Sequence, residues 1–201
     1  MEDNPNNFTS SGTWMTPEMY LEEYKKHSRV LTTGSSEYVF AYLFLHLYFE
    51  NFIHYHLRMI VDGLPLASRQ TSRFNQRDSP MKKLTAFKEL LDSAQIQYNS
   101  DYFQTISVNY RKISEIRNLL VHGYPIEEQE KNGEKTLSDA RMYLQPKSFG
   151  DILKNANLIV ENWNDLLKEV RQQKDKLISV GLNYDEFFGA EILHKFKISR
   201  E

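Results

Sequence analysis

The sequence contains no cysteine, and this absence excludes several classes of chemistry. Without thiols the protein has no disulfide bond, no cysteine nucleophile and no zinc or iron–sulfur site with thiolate ligands. Neither charge is in excess, since 27 Asp and Glu against 25 Lys and Arg give a net charge of −2, which argues against a histone-like basic protein. The 201 residues, 40% of them hydrophobic, are enough for one globular domain.

Long apolar segments are missing as well. The most apolar stretch, residues 38–49, is interrupted by His46 and is shorter than the roughly 20 residues that a membrane-spanning helix requires. The polar, acidic residues at the start of the sequence predict no secretory signal. We therefore expect a soluble, cytoplasmic protein without membrane association, in which residues 1–15 form a flexible tail.

Strand-type alternation is almost absent, and the hydrophobic periodicity predicts an all-α fold, a bundle of five or six helices. The predicted helices cover residues 17–31, 36–61, 80–96, 101–122, 149–178 and 184–196, and the second forms the long apolar centre of the bundle. The charged residues 127–146 contain a hairpin-type turn, Asn132-Gly133, and are predicted to form a loop or a small β-hairpin. Residues 16–201 are thus expected to be one domain, with this insertion and a helical extension after residue 178.

The fourth predicted helix carries one apolar stripe that a charged residue interrupts. The stripe has helical spacing and consists of Phe103, Ile106, Tyr110, Ile113 and Leu120. Arg117 occupies the position that completes it. Since an unpaired buried charge costs several kcal/mol, two interpretations are open. Arg117 is either a structural residue that pairs with an acid or reaches the bundle edge, or it faces an anion in a cleft or subunit interface.

His122 lies in the last turn of the same helix, where the helix C-terminus favours a protonated imidazole. An Arg that neutralises a phosphate and a His that transfers protons near neutral pH are the groups that phosphodiester chemistry requires. Asn118 and His122 are four residues apart and share a helix face. Arg117 and His122 are five residues apart and differ in direction by about 140°.

The segment Ile116-Arg117-Asn118-Leu119-Leu120-Val121-His122-Gly123-Tyr124 resembles the signature of the HEPN superfamily, a group of helical-bundle proteins. That signature is an Arg, a polar residue, a short spacer and a His at the end of a core helix. With Tyr124 the pattern is Arg-x4-His-x-Tyr, which is similar to the HEPN toxins encoded beside minimal nucleotidyltransferase antitoxins.

The resemblance implies a metal-independent endoribonuclease that needs no cofactor and acts as a homodimer, in a toxin–antitoxin or phage-defence setting. Arg117 and His122 of both subunits would line one composite cleft, with His122 as general acid and base and Arg117 stabilising the phosphorane. Asn118 would orient His122 or a phosphate oxygen. Tyr124 would contact RNA, be modified by a partner nucleotidyltransferase, or simply pack under the helix end. The alternative function is a catalytically inactive HEPN module that binds nucleotide, RNA or a partner protein.

His46, Glu50 and His54 recur every four residues on the second predicted helix. This spacing places two imidazoles and a carboxylate on one helix face. Residues eight apart on a helix are about 12 Å apart, which is too far for one metal ion. We therefore predict no metal site and interpret the stripe as polar support within the bundle, with Glu50 pairing with a His or with Arg117.

Residues 66–88 form a basic segment with a net charge of +5. Its cations are Arg69, Arg73, Arg77, Lys82, Lys83 and Lys88. Such a segment suits an RNA backbone, because phosphate binding by Lys and Arg releases counterions. A solvated loop or helix face is the other interpretation.

If the basic segment binds RNA, the double variant Arg69→Glu and Arg73→Glu binds RNA more weakly and with a smaller salt dependence. Losing two phosphate contacts to a single strand lowers the slope of log K against log salt by roughly 1.4. Fluorescence anisotropy with a labelled RNA at several salt concentrations measures the affinity and the slope. An unchanged slope would assign the segment to a solvated surface.

Overall fold

The computed structural model describes residues 17–32, 35–62, 79–122, 128–131, 134–137 and 140–179, and side chains over 17–32, 35–54, 79–121 and 142–179. In chain order the elements are α1 (Pro17–Ser28), α2 (Glu37–Asp62), α3 (Pro80–Ser93), α4 (Asp101–His122), β1 (Glu128–Lys131), β2 (Glu134–Leu137), a 3₁₀ helix (Ala140–Tyr143), α5 (Pro146–Arg171) and α6 (Lys174–Ser179). The predicted all-α bundle is confirmed. The predicted tail over residues 1–15 and the predicted helix 184–196 lie outside the described residues.

α3 ends earlier than the sequence predicts, at Ser93 rather than at residue 96. The cause is Gln95, which adopts a left-handed conformation with φ of 55°. The N–H of Ile96 donates to the Leu91 carbonyl and the N–H of Gln95 donates to the Asp92 carbonyl, each at 3.0 Å. This pair of bonds closes a helix C-terminus, and it is accompanied by burial of both Ile96 and Leu91.

The predicted helix over residues 149–178 begins at Pro146 and is divided into α5 and α6. At the division, the side-chain amide of Gln173 exchanges two hydrogen bonds with the backbone of Gln97. Its oxygen accepts from the Gln97 N–H at 2.8 Å and its nitrogen donates to the Gln97 carbonyl at 2.5 Å. The break between α5 and α6 therefore lies where Gln173 is hydrogen-bonded to the segment before α4. α1 ends at Ser28, three residues before the predicted end.

The strands β1 and β2 lie between α4 and the 3₁₀ helix, inside the charged segment 127–146. They pair antiparallel, with Glu128 opposite Leu137 and Lys131 opposite Glu134. This two-stranded hairpin is the one sheet of the described residues. The helices therefore supply the core, and the hairpin is an insertion between two of them.

The core is centred on aromatic side chains of α2 and α5. Phe149 of α5 is fully buried, and its ring contacts Tyr24, Tyr38 and Tyr42 at centroid distances between 5.1 and 6.3 Å. These contacts join α1, α2 and α5. The Tyr42 hydroxyl also donates to the carbonyl of Tyr143 at 3.1 Å, which fixes the 3₁₀ helix against α2.

A carboxylate near the end of α5 fixes the start of α4, the helix that carries Arg117. Glu169 accepts hydrogen bonds from the N–H of Asn99 at 2.9 Å and from the hydroxyl of Tyr102 at 2.8 Å. The Asn99 side chain in turn accepts from the N–H of Asp101 at 3.0 Å, as a capping residue does. The first turn of α4 is therefore held in place by Glu169 of α5 and by the capping side chain of Asn99.

None of the helices in the described residues combines the length and the apolar character that crossing a membrane would require.

The Phe149→Ala variant is expected to lose about 3–5 kcal/mol of unfolding free energy, because it removes a fully buried ring and leaves a cavity. Leu158→Ala on the same helix is the control, since Leu158 is 40% exposed and its truncation should cost less than about 0.5 kcal/mol. Urea denaturation followed by circular dichroism measures both. Equal losses in the two variants would contradict the placement of Phe149.

Candidate functional site

α4 presents its apolar stripe to the bundle, with Arg117 at the edge of that stripe. Phe103, Ile106, Tyr110 and Ile113 are buried, as the spacing predicts. Leu120 is partly buried and packs against the core. Arg117 is half-buried, because the stripe reaches the bundle edge over the last turns of the helix.

Asn118 orients the guanidinium of Arg117. Nη1 of Arg117 donates to Oδ1 of Asn118 at 2.7 Å, and both residues are half-buried. The resemblance implies that Asn118 orients His122 or a phosphate oxygen. In the structure the side-chain amide of Asn118 contacts Arg117. A half-buried guanidinium in a fixed orientation is well suited to bind a phosphate, because it offers several N–H donors in one plane.

A histidine of α2 and a tyrosine of α4, from the middle of the stripe, meet in the core. His46 is 3% exposed and Tyr110 is 5% exposed. Nε2 of His46 lies 3.3 Å from the Tyr110 hydroxyl, and the two rings are tilted with centroids 5.6 Å apart. On the other side of the imidazole, Nδ1 of His46 lies 3.8 Å from Oε2 of Glu50.

The positive charge of Arg117 contributes to the pKa shifts of both His46 and Tyr110. Burial, together with the smaller effect of the positive charge of Arg117, lowers the pKa of His46 from its ordinary 6.5 to about 4. Burial raises the pKa of the Tyr110 hydroxyl, as does the carboxylate of Glu50, whereas Arg117 opposes the rise. At neutral pH the site therefore contains a neutral imidazole and a neutral phenol.

The polar side chains along one face of α2 contact two different neighbouring helices. His46 faces Tyr110 of α4, whereas Nδ1 of His54 lies 2.5 Å from Nζ of Lys83 on α3. Glu50 contacts His46, which is one of the two partners that the sequence suggests for it. Among the residues that the structure describes, no group of three or more His, Cys, Asp and Glu side chains is arranged to hold a metal ion.

The cations of the basic segment are not equivalent. Lys83 is buried, at 6% exposed, so its amino group lies inside the bundle beside His54 and not on a surface that RNA could contact. Lys88 forms an ion pair with Asp92 at 2.7 Å. Lys82 is exposed. Arg69, Arg73 and Arg77 lie outside the described residues.

Two residues of the Arg-x4-His-x-Tyr pattern are only partly placed or not placed. His122 is the last residue of α4, and its side chain is outside the described part of the chain, as is the whole of Tyr124. The residue that sequence reasoning missed is Tyr110, which the spacing predicts only as an apolar member of the stripe. The available signal was its position two helical turns before Arg117, where its hydroxyl needs a polar partner.

The stability of the protein is expected to fall as the pH falls from 6.5 to 4, in part because of His46. In this range the unfolded chain binds a proton at His46 that the folded protein excludes, since the folded pKa is about 4. This difference removes about 3 kcal/mol of unfolding free energy by pH 4. Urea denaturation of the wild type and of His46→Gln at pH 7, 5.5 and 4.5 measures the effect. The variant should show the shallower loss, and parallel pH profiles would contradict the neutral state of His46.

No protein-family model matches this chain, and neither a curated protein nor a solved structure matches it.

Proposed function

We propose that the protein is a metal-independent endoribonuclease of the toxin–antitoxin or phage-defence type, which acts in the cytoplasm as a homodimer. The observation that carries the proposal is the half-buried Arg117, whose Nη1 is bound by Asn118 at 2.7 Å. It lies on the core stripe of α4, five residues before the His122 that ends the helix. The resemblance of this segment to the HEPN signature supports the same conclusion.

Arg117 would bind and neutralise the phosphate that is attacked. During attack by a 2′-hydroxyl, negative charge accumulates on the non-bridging oxygens of the phosphorus. A guanidinium that is already oriented stabilises this charge without reorganising. Asn118 supplies that orientation through its side-chain oxygen.

His122 would transfer the protons. A neutral imidazole takes the proton of the 2′-hydroxyl as the new bond to phosphorus forms. The bond from phosphorus to the 5′-oxygen then breaks, and this oxygen takes a proton from an imidazolium. The products are a 2′,3′-cyclic phosphate and a 5′-hydroxyl, and neither a metal ion nor a cofactor takes part. Two histidines, one from each protomer, fit the two proton transfers.

The position of His122 relative to Arg117 supports a site shared between two copies. On one helix the two residues diverge by about 140°, so a single α4 does not direct both at one phosphate. A second copy packed against this end of α4 would bring the His122 of the partner toward Arg117. An apolar side chain at this end favours such a contact, since Val121 is 43% exposed.

The remaining predicted residues would serve the substrate or a protein partner. Tyr124 would contact RNA or accept a modification from an antitoxin of the nucleotidyltransferase class. The arginines of the basic segment, together with exposed Lys82, would bind the RNA backbone away from the scissile phosphate.

The Arg117→Ala and His122→Ala variants are each expected to lose RNA cleavage by at least about 100-fold, because each removes a group that acts on the reacting phosphate. The assay uses an end-labelled RNA in the presence of EDTA, with mass spectrometry of the new ends. The expected ends are a 2′,3′-cyclic phosphate and a 5′-hydroxyl.

The matched control is Arg111→Ala, because Arg111 lies on the same helix and is exposed. It should retain full activity. Full activity in both site variants would overturn the proposal. A wild type that binds RNA through Arg117 but cleaves none would instead identify the catalytically inactive HEPN module.

A further inference from the structure

The first half of α2 is apolar or aromatic on all sides except at His46, but only one side of it is buried. The buried side consists of Tyr38, Ala41, Tyr42, Leu45, Tyr48 and Phe49. On the opposite side Phe40 is 42% exposed, and four other apolar side chains are half-buried. We call this side the outer face of α2, and its residues are Val39, Phe40, Leu43, Phe44 and Leu47. Contiguous apolar side chains at a surface are characteristic of interaction sites.

The outer face carries no charge. Residues 38–49 contain no Asp, Glu, Lys or Arg, and the charged residues that flank them on α2 are Glu37 and Glu50. A surface that binds RNA needs cations that reach phosphates, and this half of α2 supplies none. A contact between two copies related by a two-fold axis places a surface against itself, so a charge in its middle would meet a like charge. The absence of charge therefore favours a second copy of this chain as the partner.

Two aromatic rings of the outer face are held in place within one protomer. The imidazole of His27, on α1, stacks on Phe40 and on Phe44, with centroid distances of 5.0 and 5.4 Å. Nδ1 of His27 lies 2.5 Å from Oε2 of Glu37, which fixes the imidazole. Rings that are already ordered lose little conformational freedom on association, so they suit the centre of an interface.

Contacts of α5 show how α2 is oriented in the bundle. Near its start, α5 contacts the first turn of α2 through Phe149 and Tyr38. Further along, Trp163 contacts Phe52 at a centroid distance of 5.9 Å. The two helices therefore run in the same direction.

The outer face lies at the same end of the bundle as Arg117. α4 runs opposite to α5, because Tyr102 near the start of α4 donates to Glu169 near the end of α5, and it therefore also runs opposite to α2. The two helices meet where Tyr110 contacts His46. Arg117 comes seven residues after Tyr110, about 10 Å further along α4. This distance brings Arg117 level with the start of the outer face.

We infer that the outer face of α2 is the surface on which a second copy of this chain packs, across a two-fold axis. The contact places the second copy beside the end of α4 that carries Arg117, where Val121 is also exposed. The inference rests on the proposed function only for the consequence of this contact, which is a cleavage site shared between two protomers. Self-association through the face is independent of any RNA chemistry.

The first test introduces a carboxylate into the outer face by Phe40→Glu and, separately, by Leu47→Glu. Across a two-fold axis each substitution brings two carboxylates together in a desolvated contact, so the Kd of the dimer should rise at least about 100-fold. Sedimentation velocity over a series of protein concentrations measures this Kd. Leu47→Glu leaves the ring contact between His27 and Phe40 in place, so it decides the question if Phe40→Glu proves unstable.

The matched control is Leu158→Glu, because Leu158 of α5 is 40% exposed, against 42% for Phe40. It should keep the wild-type Kd, and circular dichroism verifies the fold of each variant. A dimer that persists unchanged in Phe40→Glu and Leu47→Glu would overturn the inference. A wild type that stays monomeric, as expected if the face binds a different protein, would also overturn it. So would a dimer that persists in Phe40→Glu while RNA binding is lost, because the face would then be an RNA site.

A charge exchange tests whether the face packs on itself. Leu47→Glu and Leu47→Lys should each associate weakly alone. An equimolar mixture should form heterodimers with a Kd at least about tenfold lower than that of either variant, because opposite charges then meet across the axis. A mixture that associates no more tightly than its components would contradict the two-fold contact.

The cleavage assay separates this inference from the proposed function. If both hold, Phe40→Glu below its dimer Kd cleaves RNA at least about tenfold more slowly than the wild type, because a shared site is incomplete in a monomer. Leu158→Glu should keep the wild-type rate. A wild type that dimerises through the outer face but cleaves no RNA would overturn the proposed function alone. A monomeric wild type that cleaves RNA would overturn the inference alone.

Discussion

The placement of a cation on an apolar helix stripe is the constraint on which the arrangement of this site depends. Moving a guanidinium out of water is expensive unless its surroundings compensate. For Arg117, part of this compensation comes from the Asn118 oxygen, which accepts a hydrogen bond from Nη1. The buried His46 of α2 is neutral at neutral pH, so it adds no second positive charge to the core.

The rest of the bundle gives this arrangement a rigid base. The aromatic contacts of Phe149 with α1 and α2 fix α2, and Glu169 fixes the first turn of α4. His46 and Tyr110 are therefore presented by two helices whose positions are set by contacts elsewhere. A hydrogen bond between such side chains costs little additional ordering, because the helices have already lost their freedom.

The features that could be predicted from the sequence are those that neighbouring residues determine. The all-α class, the burial of Ile113 and the position of Arg117 on the stripe all follow from periodicity within one helix. The partner of His46 could not be predicted, since that contact joins residues 64 apart in the chain. The division between α5 and α6 could not be predicted for the same reason, because Gln173 is hydrogen-bonded to the backbone of Gln97, 76 residues away.

The charge of residues 66–88 shows the same limit, because the sequence alone does not tell which of its cations are exposed. The sequence places six cations in residues 66–88, but burial beside His54 withdraws Lys83 from any surface, and Asp92 partly compensates Lys88. Under the proposed function, the electrostatic attraction for an RNA backbone would then rest on Lys82 and the three arginines. Since counterion release counts only cations that reach phosphates, a measured salt dependence corresponding to six contacts would require cations from outside this segment, and a second copy of the chain is the source that the proposed dimer supplies.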